Sequence, residues 1–207
     1  MARVSYATPS QATGDAHEVM AKIREQGGEV LNLHRALARS PSSLRNFLRL
    51  GNSLLSYGQL PPVLREIVIL RIAQTTGADY EWAHHVPLAK QAGVTNEQIA
   101  RLRVWTAADV FDARVRAALR YADAAVGDRL VPDDVFEAAR SQLSEGEIVE
   151  LTLVCGFWGG LVACVLRSLE IDIEPAFRRH LPRERADAKE PTEEQRHTQS
   201  SRVRKEA

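Results

Sequence analysis

Two stretches of this sequence gather side chains able to move protons. The first, Asp79-Tyr-Glu-Trp-Ala-His-His-Val-Pro-Leu-Ala-Lys-Gln-Ala-Gly93, sets a carboxylate, an indole and two imidazoles on less than two turns of an expected helix. The second, 61–76, carries Glu66 among aliphatic residues. Glu81 and His85 stand four apart, so on a helix they share a stripe with Leu88 and Ala92, and His84 lies one step round. At ~100° per residue Glu66 falls between Val63, Ile69, Leu70 and Ala73. A carboxyl on an apolar face has its pKa raised unless a cation compensates, and an acid held partly protonated near neutrality can donate or relay a proton. The expected chemistry is therefore acid–base work by Glu66, Glu81 and His85. His84 is the adjacent candidate for substrate binding, and Trp82, on the other flank with Val86 and Ala89, packs or walls a pocket. Plainer readings compete: a structural acid tied to an arginine or a helix end, and an exposed Glu/His pair of little energetic worth.

Other chemistries find less support. Glu81-x-x-His84 has the form used in di-iron bundles, but those need a second such motif, and the region around Glu147 and Glu150 has no histidine. A metal stays a lesser alternative, and no metal or cofactor is assigned. Ser56, Ser141, Ser144 and Ser168 sit in no nucleophile elbow, and no glycine-rich loop follows a strand. Cys155 and Cys164 lie in one apolar run without CxxC or zinc spacing. On one helix they stand about 13 Å apart along the axis, too far to bridge, and read as reduced core cysteines of a cytoplasmic protein.

The elements that must position the site read as helices throughout. Apolar periodicity, caps and stops predict helices over 16–26, 30–38, 44–55, 61–76, 79–93, 95–102, 112–126, 132–143 and 144–169. The 61–76 helix is apolar almost all round, so it belongs at the centre. Asp79 is expected to cap the next helix, and Thr95-Asn-Glu-Gln98 and Ser144-Glu-Gly-Glu147 read as capping boxes. No stretch alternates as a strand with hairpin turns, so the fold class is all-α. One domain is expected over 16–180, after a flexible leader over 1–15 and before a disordered charged tail over 181–207. Gly146-Glu-Ile-Val-Glu-Leu151 echoes Leu64-Arg-Glu-Ile-Val-Ile-Leu70, which raises a duplicated helical hairpin as an option.

Lys+Arg and Asp+Glu balance at 27 each, so the basic surface that nucleic acid demands is missing. The apolar run 148–166 is broken by Glu150, Thr152 and glycines, and reads as a buried helix rather than a membrane span. No nucleic-acid or membrane partner is expected.

The run Leu64-Arg-Glu-Ile-Val-Ile-Leu-Arg-Ile-Ala73, then Glu81-Trp-x-x-His85, Ala89 and Gly93, resembles the carboxymuconolactone decarboxylase family, which includes the alkyl hydroperoxidase D-like proteins. Leu33-His-Arg-Ala-Leu-Ala38 upstream and Glu147-Ile-Val-Glu-Leu-Thr-Leu-Val-Cys-Gly-Phe-Trp158 downstream look like longer members. The resemblance implies an all-helical bundle assembling as a homo-oligomer, a trimer or hexamer. In the peroxidase branch a glutamate and a histidine serve a CxxC pair as a proton relay. Here they fall on Glu66 and His85, while the two cysteines fall on Ala78 and Glu81, which argues against thiol peroxidase chemistry. The decarboxylase branch, with its Glu-x-x-x-His pattern and no cysteines, resembles the chain better. Its reaction needs a proton donor, a group stabilising an enolate and a cation for the carboxylate, and Arg71 is the candidate cation. The expectation is a cofactor-free lyase or isomerase acting on a small carboxylated or carbonyl compound. The alternatives are a non-catalytic oligomeric binding protein and, disfavoured, a peroxidase.

Overall fold

The computed structural model describes residues 2–182, and every regular element among them is helical. The tail expected from residue 181 lies outside the described residues apart from its first two positions. In order the α-helices are α1 (Gly14–Glu25), α2 (Asn32–Leu37), α3 (Pro41–Ser56), α4 (Pro62–Thr76), α5 (Asp79–Ala92), α6 (Asn96–Arg101), α7 (Ala113–Gly127), α8 (Asp133–Arg140), α9 (Glu145–Val154) and α10 (Ala163–Ser168).

α4 is the central element, as its all-round apolarity requires. Every residue from Leu64 to Leu70 is buried, and the helix packs on both α5 and α7. Pro62 opens it where no backbone N–H is needed. Gly77 closes it at φ 68°, a left-handed conformation that lets the chain reverse within two residues and lay α5 alongside. α5 then runs on through Pro87 to Ala92. Asp79 does not cap it: Ala78 holds the N-cap position and Asp79 is the first helical residue. Both expected capping boxes form, on Thr95/Gln98 and Ser144/Glu147.

The glycine-rich stretch near Trp158 stays within the single helix expected over 144–169. α9 continues through a π-helical segment, Cys155–Val162, into α10, giving one helix from Glu145 to Ser168, so the echo of α4 does not extend to a second hairpin. Gly159 permits this course, because a Cβ there would stand 2.6 Å from a Val126 methyl. By length and composition this helix could cross a membrane. Here Leu151, Val154, Trp158 and Leu166 sit in the core, while Val149, Leu153 and Leu161 are exposed. Cys155 is buried, but Cys164 is exposed, contrary to the expectation of two core cysteines.

Residues 2–13 are docked, not free. The Tyr6 hydroxyl donates to Asp172 Oδ2 (2.9 Å) and accepts from the Asp172 N–H (2.8 Å), and the Arg3 N–H bonds the Leu169 carbonyl. Ala7 and Ala12 join Ala16, Met20, Ala38 and Leu44 in a second small apolar cluster. Small residues and one tyrosine suffice to anchor the segment, without any periodicity to announce it.

Candidate active site

α4 and α5 face each other with Glu66 and His85 in register. Glu66 is 1% exposed, and its Oε2 lies 2.8 Å from His85 Nδ1. Arg65 Nε approaches the other oxygen at 3.4 Å. On the far side of the imidazole, the Trp158 indole N–H donates to His85 Nε2 over 3.2 Å, the two rings meeting edge to face. An indole N–H can only donate, so Nε2 presents its lone pair, and the ring proton resides on Nδ1, donated to Glu66. A carboxylate thus orients an imidazole whose basic nitrogen is turned away from it, the arrangement of an oriented general base.

His85 and Trp158 line a cavity of about 490 Å³. Its walls come from α2 and the residue before it (Leu31, Leu33, His34), α3 (Phe47, Leu48, Leu55), α5, the π segment and Phe177. Glu81 also lines it, is 3% exposed, and neither carboxyl oxygen has a hydrogen-bond partner. Burial pushes its pKa well above the ordinary carboxylate range. Its place in the first turn of α5 opposes this, but a helix dipole contributes only about 0.3–1 kcal/mol against several for desolvating a charge. Glu81 is therefore a carboxylic acid with an O–H to give. It does not bond His85: the two share a stripe and a cavity but no contact.

His84 lines the cavity as part of a held network. Its Nδ1 lies 2.8 Å from the Tyr80 carbonyl, which can only accept, so this nitrogen carries a proton. Its Nε2 stands 2.9 Å from Glu174 Oε2, an ion-pair separation although the approach is off the hydrogen-bond direction. The ring is stacked between Tyr80 (4.1 Å) and Phe177 (4.0 Å). Desolvation pushes the Glu174 carboxyl up, but the neighbouring His84 imidazole and the Asn32 N–H outweigh it and hold it below the ordinary value. The Tyr80 hydroxyl donates to the same carboxylate. His34 accepts the Leu31 N–H at Nδ1, and burial lowers its pKa to about 4, so it stays neutral.

Two expected binding residues are elsewhere. Arg71 clamps Asp123 of α7 through Nε (2.7 Å) and Nη2 (3.0 Å), on another side of α4, and does not line the cavity. Trp82 is buried off the cavity with its indole N–H on the His180 carbonyl (3.0 Å). Conversely, His34, Tyr80, Trp158, Glu174 and Phe177 were not singled out as site residues. Only the Leu33-His and Gly-Phe-Trp-Gly-Gly stretches gave a trace of two of them. Glu150, in the sequence echo of the site, is structural: it accepts the N–H groups of Gln59 and Leu60 ahead of α4. Among the described residues no three His, Cys, Asp or Glu side chains are grouped to hold a metal ion.

Residues 41–124, which include Glu66, Glu81 and His85, match the Carboxymuconolactone decarboxylase family. The uncharacterized protein YdfG of Bacillus subtilis (strain 168) is 26% identical over 92 residues, 44% of this chain. The match spans 63% of that relative's length, less than two thirds. An uncharacterized peroxidase-related protein from Ralstonia eutropha JMP134, described as an alkylhydroperoxidase AhpD core, superposes with a TM-score of 0.73 at 19% identity, covering 85% of this chain and 94% of that one. The debrominase Bmp8, in complex with 2,3,4-tribromopyrrole, gives 0.72 at 16% identity, with 87% and 97% covered. These structures share the fold. The match to the Carboxymuconolactone decarboxylase family thus covers both helices of the site, and the fold is that of the alkylhydroperoxidase AhpD core.

Proposed function

We propose that the protein is an acid–base enzyme, an isomerase or lyase, that moves a proton at the carbon next to a carbonyl of a small molecule bound between α2, α3, α5 and the π segment. His85 Nε2 takes the proton, Glu66 holds the imidazole through Nδ1, and the Glu81 O–H donates a hydrogen bond to the enolate oxygen that develops. The proton then returns to a different carbon, so the reaction balances without a further reactant. The Trp158 N–H sits at the long end of hydrogen-bond range and yields Nε2 to substrate at small cost. The observation that carries this reading is Glu81: a buried, unpartnered carboxylic acid on the wall of a cavity it shares with an oriented histidine. A neutral acid kept for hydrogen-bond donation is a known solution to enolate chemistry in ketosteroid isomerase.

A thiol peroxidase reading has no thiol to use. Cys155 lies outside the cavity lining, its pKa pushed up to about 12 chiefly by burial, and Cys164 is on the surface. A ring the size of tribromopyrrole, seen with the Bmp8 debrominase, is of the scale this cavity admits. The exposed Val149, Leu153 and Leu161 support assembly with further copies of the chain, which light scattering of the purified protein would measure.

The test is conversion of a cyclic β,γ-unsaturated ketone to its conjugated isomer, followed by absorbance. Wild-type protein should catalyse it, and His85→Ala should lower kcat/KM by about 10²–10⁴. Turnover by His85→Ala equal to wild type would remove the histidine from the mechanism.

A further inference from the structure

The charge inventory of the cavity says which compounds it accepts. Among the described residues no lysine or arginine lines it, and Arg65 on α4 is turned to Glu66. The His84 imidazole is matched by Glu174. Phe47, Phe157, Trp158 and Phe177 stand with leucines along the rest of the wall. Resting on the proposed acid–base reading, we infer that the substrate is an uncharged, ring-sized carbonyl compound, such as a cyclic ketone, lactone or aryl ketone, whose oxygen accepts the Glu81 O–H.

A carboxylate substrate, the class a lactone decarboxylase would need, finds no lysine or arginine among the described lining residues, and an unpaired buried anion is strongly disfavoured. The only cation expected nearby, Arg71, is spent on Asp123. A cationic amine would meet Glu81 and the aromatic walls, but His34 already shows how the site treats a positive charge. Even beside Glu174, burial keeps that imidazole neutral well below pH 6. Glu81 shows the same penalty for a negative one. An unpaired charge of either sign is disfavoured, and a neutral acceptor satisfies the unpartnered Glu81 O–H.

Three probes of similar shape separate the possibilities: acetophenone, benzoate and benzylammonium. Their binding to wild-type protein is measured by calorimetry at neutral pH. Acetophenone should saturate the site, with the two ions at least about tenfold weaker. Glu81→Leu should weaken acetophenone about tenfold, and Glu81→Gln, which keeps an N–H donor, should restore most of it. Benzoate binding as tightly as acetophenone, benzylammonium binding tightest, or no saturation by acetophenone at millimolar concentration would each overturn the inference. The isomerisation assay fails separately. Acetophenone binding without His85-dependent turnover removes the catalytic reading and leaves the ligand class. Preference for benzoate with turnover intact does the reverse.

Discussion

Two polar networks leave α4 in different directions, and each ends on a tryptophan. In the first, Arg71 binds both oxygens of Asp123, and the Trp105 indole donates to the same carboxylate at 3.0 Å. Every strong donor there meets an acceptor, and the network is finished. In the second, Glu66 holds His85, and the Trp158 indole donates to the imidazole nitrogen rather than to an acid. That ending puts Nε2, its lone pair engaged only by the long indole bond, on the cavity wall next to a second carboxyl, Glu81, that has no partner. An indole on a carboxylate closes a network, whereas an indole on an imidazole keeps a base in one tautomer beside open space. The first network ties α4 to α7, and the second leaves chemistry undone.

The sharpest way to break this comparison is to remove one member from each side. His85→Ala or Glu81→Leu should reduce turnover of the unsaturated ketone by orders of magnitude, about 10²–10⁴ for the base. Asp123→Ala should leave turnover per folded molecule unchanged but lower the urea midpoint, by about 1–3 kcal/mol once partial exposure of the pair is allowed for. Equal losses of activity on the two sides would erase the distinction.

Next in size is a pH effect. A carboxyl whose folded pKa lies above its unfolded value binds more protons in the folded state, so stability falls as pH rises above the ordinary carboxylate range. Glu81→Gln should therefore be more stable than wild type at neutral pH, by an amount growing at no more than about 1.4 kcal/mol per pH unit and vanishing in acid. Chemical denaturation at several pH values measures it, and a pH-independent gap would mean Glu81 is not a neutral acid. His34 works in the opposite sense. Its folded pKa of about 4 lies below its unfolded value, so the unfolded chain binds more protons between the two, and stability should drop as pH falls through that window. His34→Gln should flatten that acid limb. The smallest effect is expected from Trp158→Phe: a few-fold fall in kcat with KM little changed, as the imidazole loses the donor that fixes its tautomer.

What could be read from the sequence follows the reach of helical periodicity. Glu66, Glu81 and His85 were found because wheel geometry places them on identifiable faces of two consecutive helices joined by a short turn. The same geometry set Arg71 apart from Glu66, but could not reveal its partner Asp123, 52 residues further on, so the arginine was left available as a substrate cation. The cavity's other walls come from still more distant places. His34 lies on a six-residue helix, and Trp158 on a π segment of the long apolar helix, where its indole reads as one more core side chain. Glu174 and Phe177 follow the last long helix in chain with no regular pattern. All four lie outside the family-matched residues 41–124. The family-matched part thus carries Glu66 and His85, the proposed acid–base pair, and the unmatched part lines the rest of the cavity. The docked residues 2–13 were missed for a similar reason: Tyr6 meets Asp172 across almost the whole chain, and nothing local encodes that contact.

The protonation state of Glu81 bears on the central claim most directly. Carbon-13 NMR of protein labelled at the glutamate side-chain carboxyl, with the signal assigned by its loss in Glu81→Gln, reads it without any substrate. The resonance should keep the position of a protonated acid through neutral pH and move when acetophenone is added. A Glu81 signal that titrates in the ordinary carboxylate range would contradict the claim.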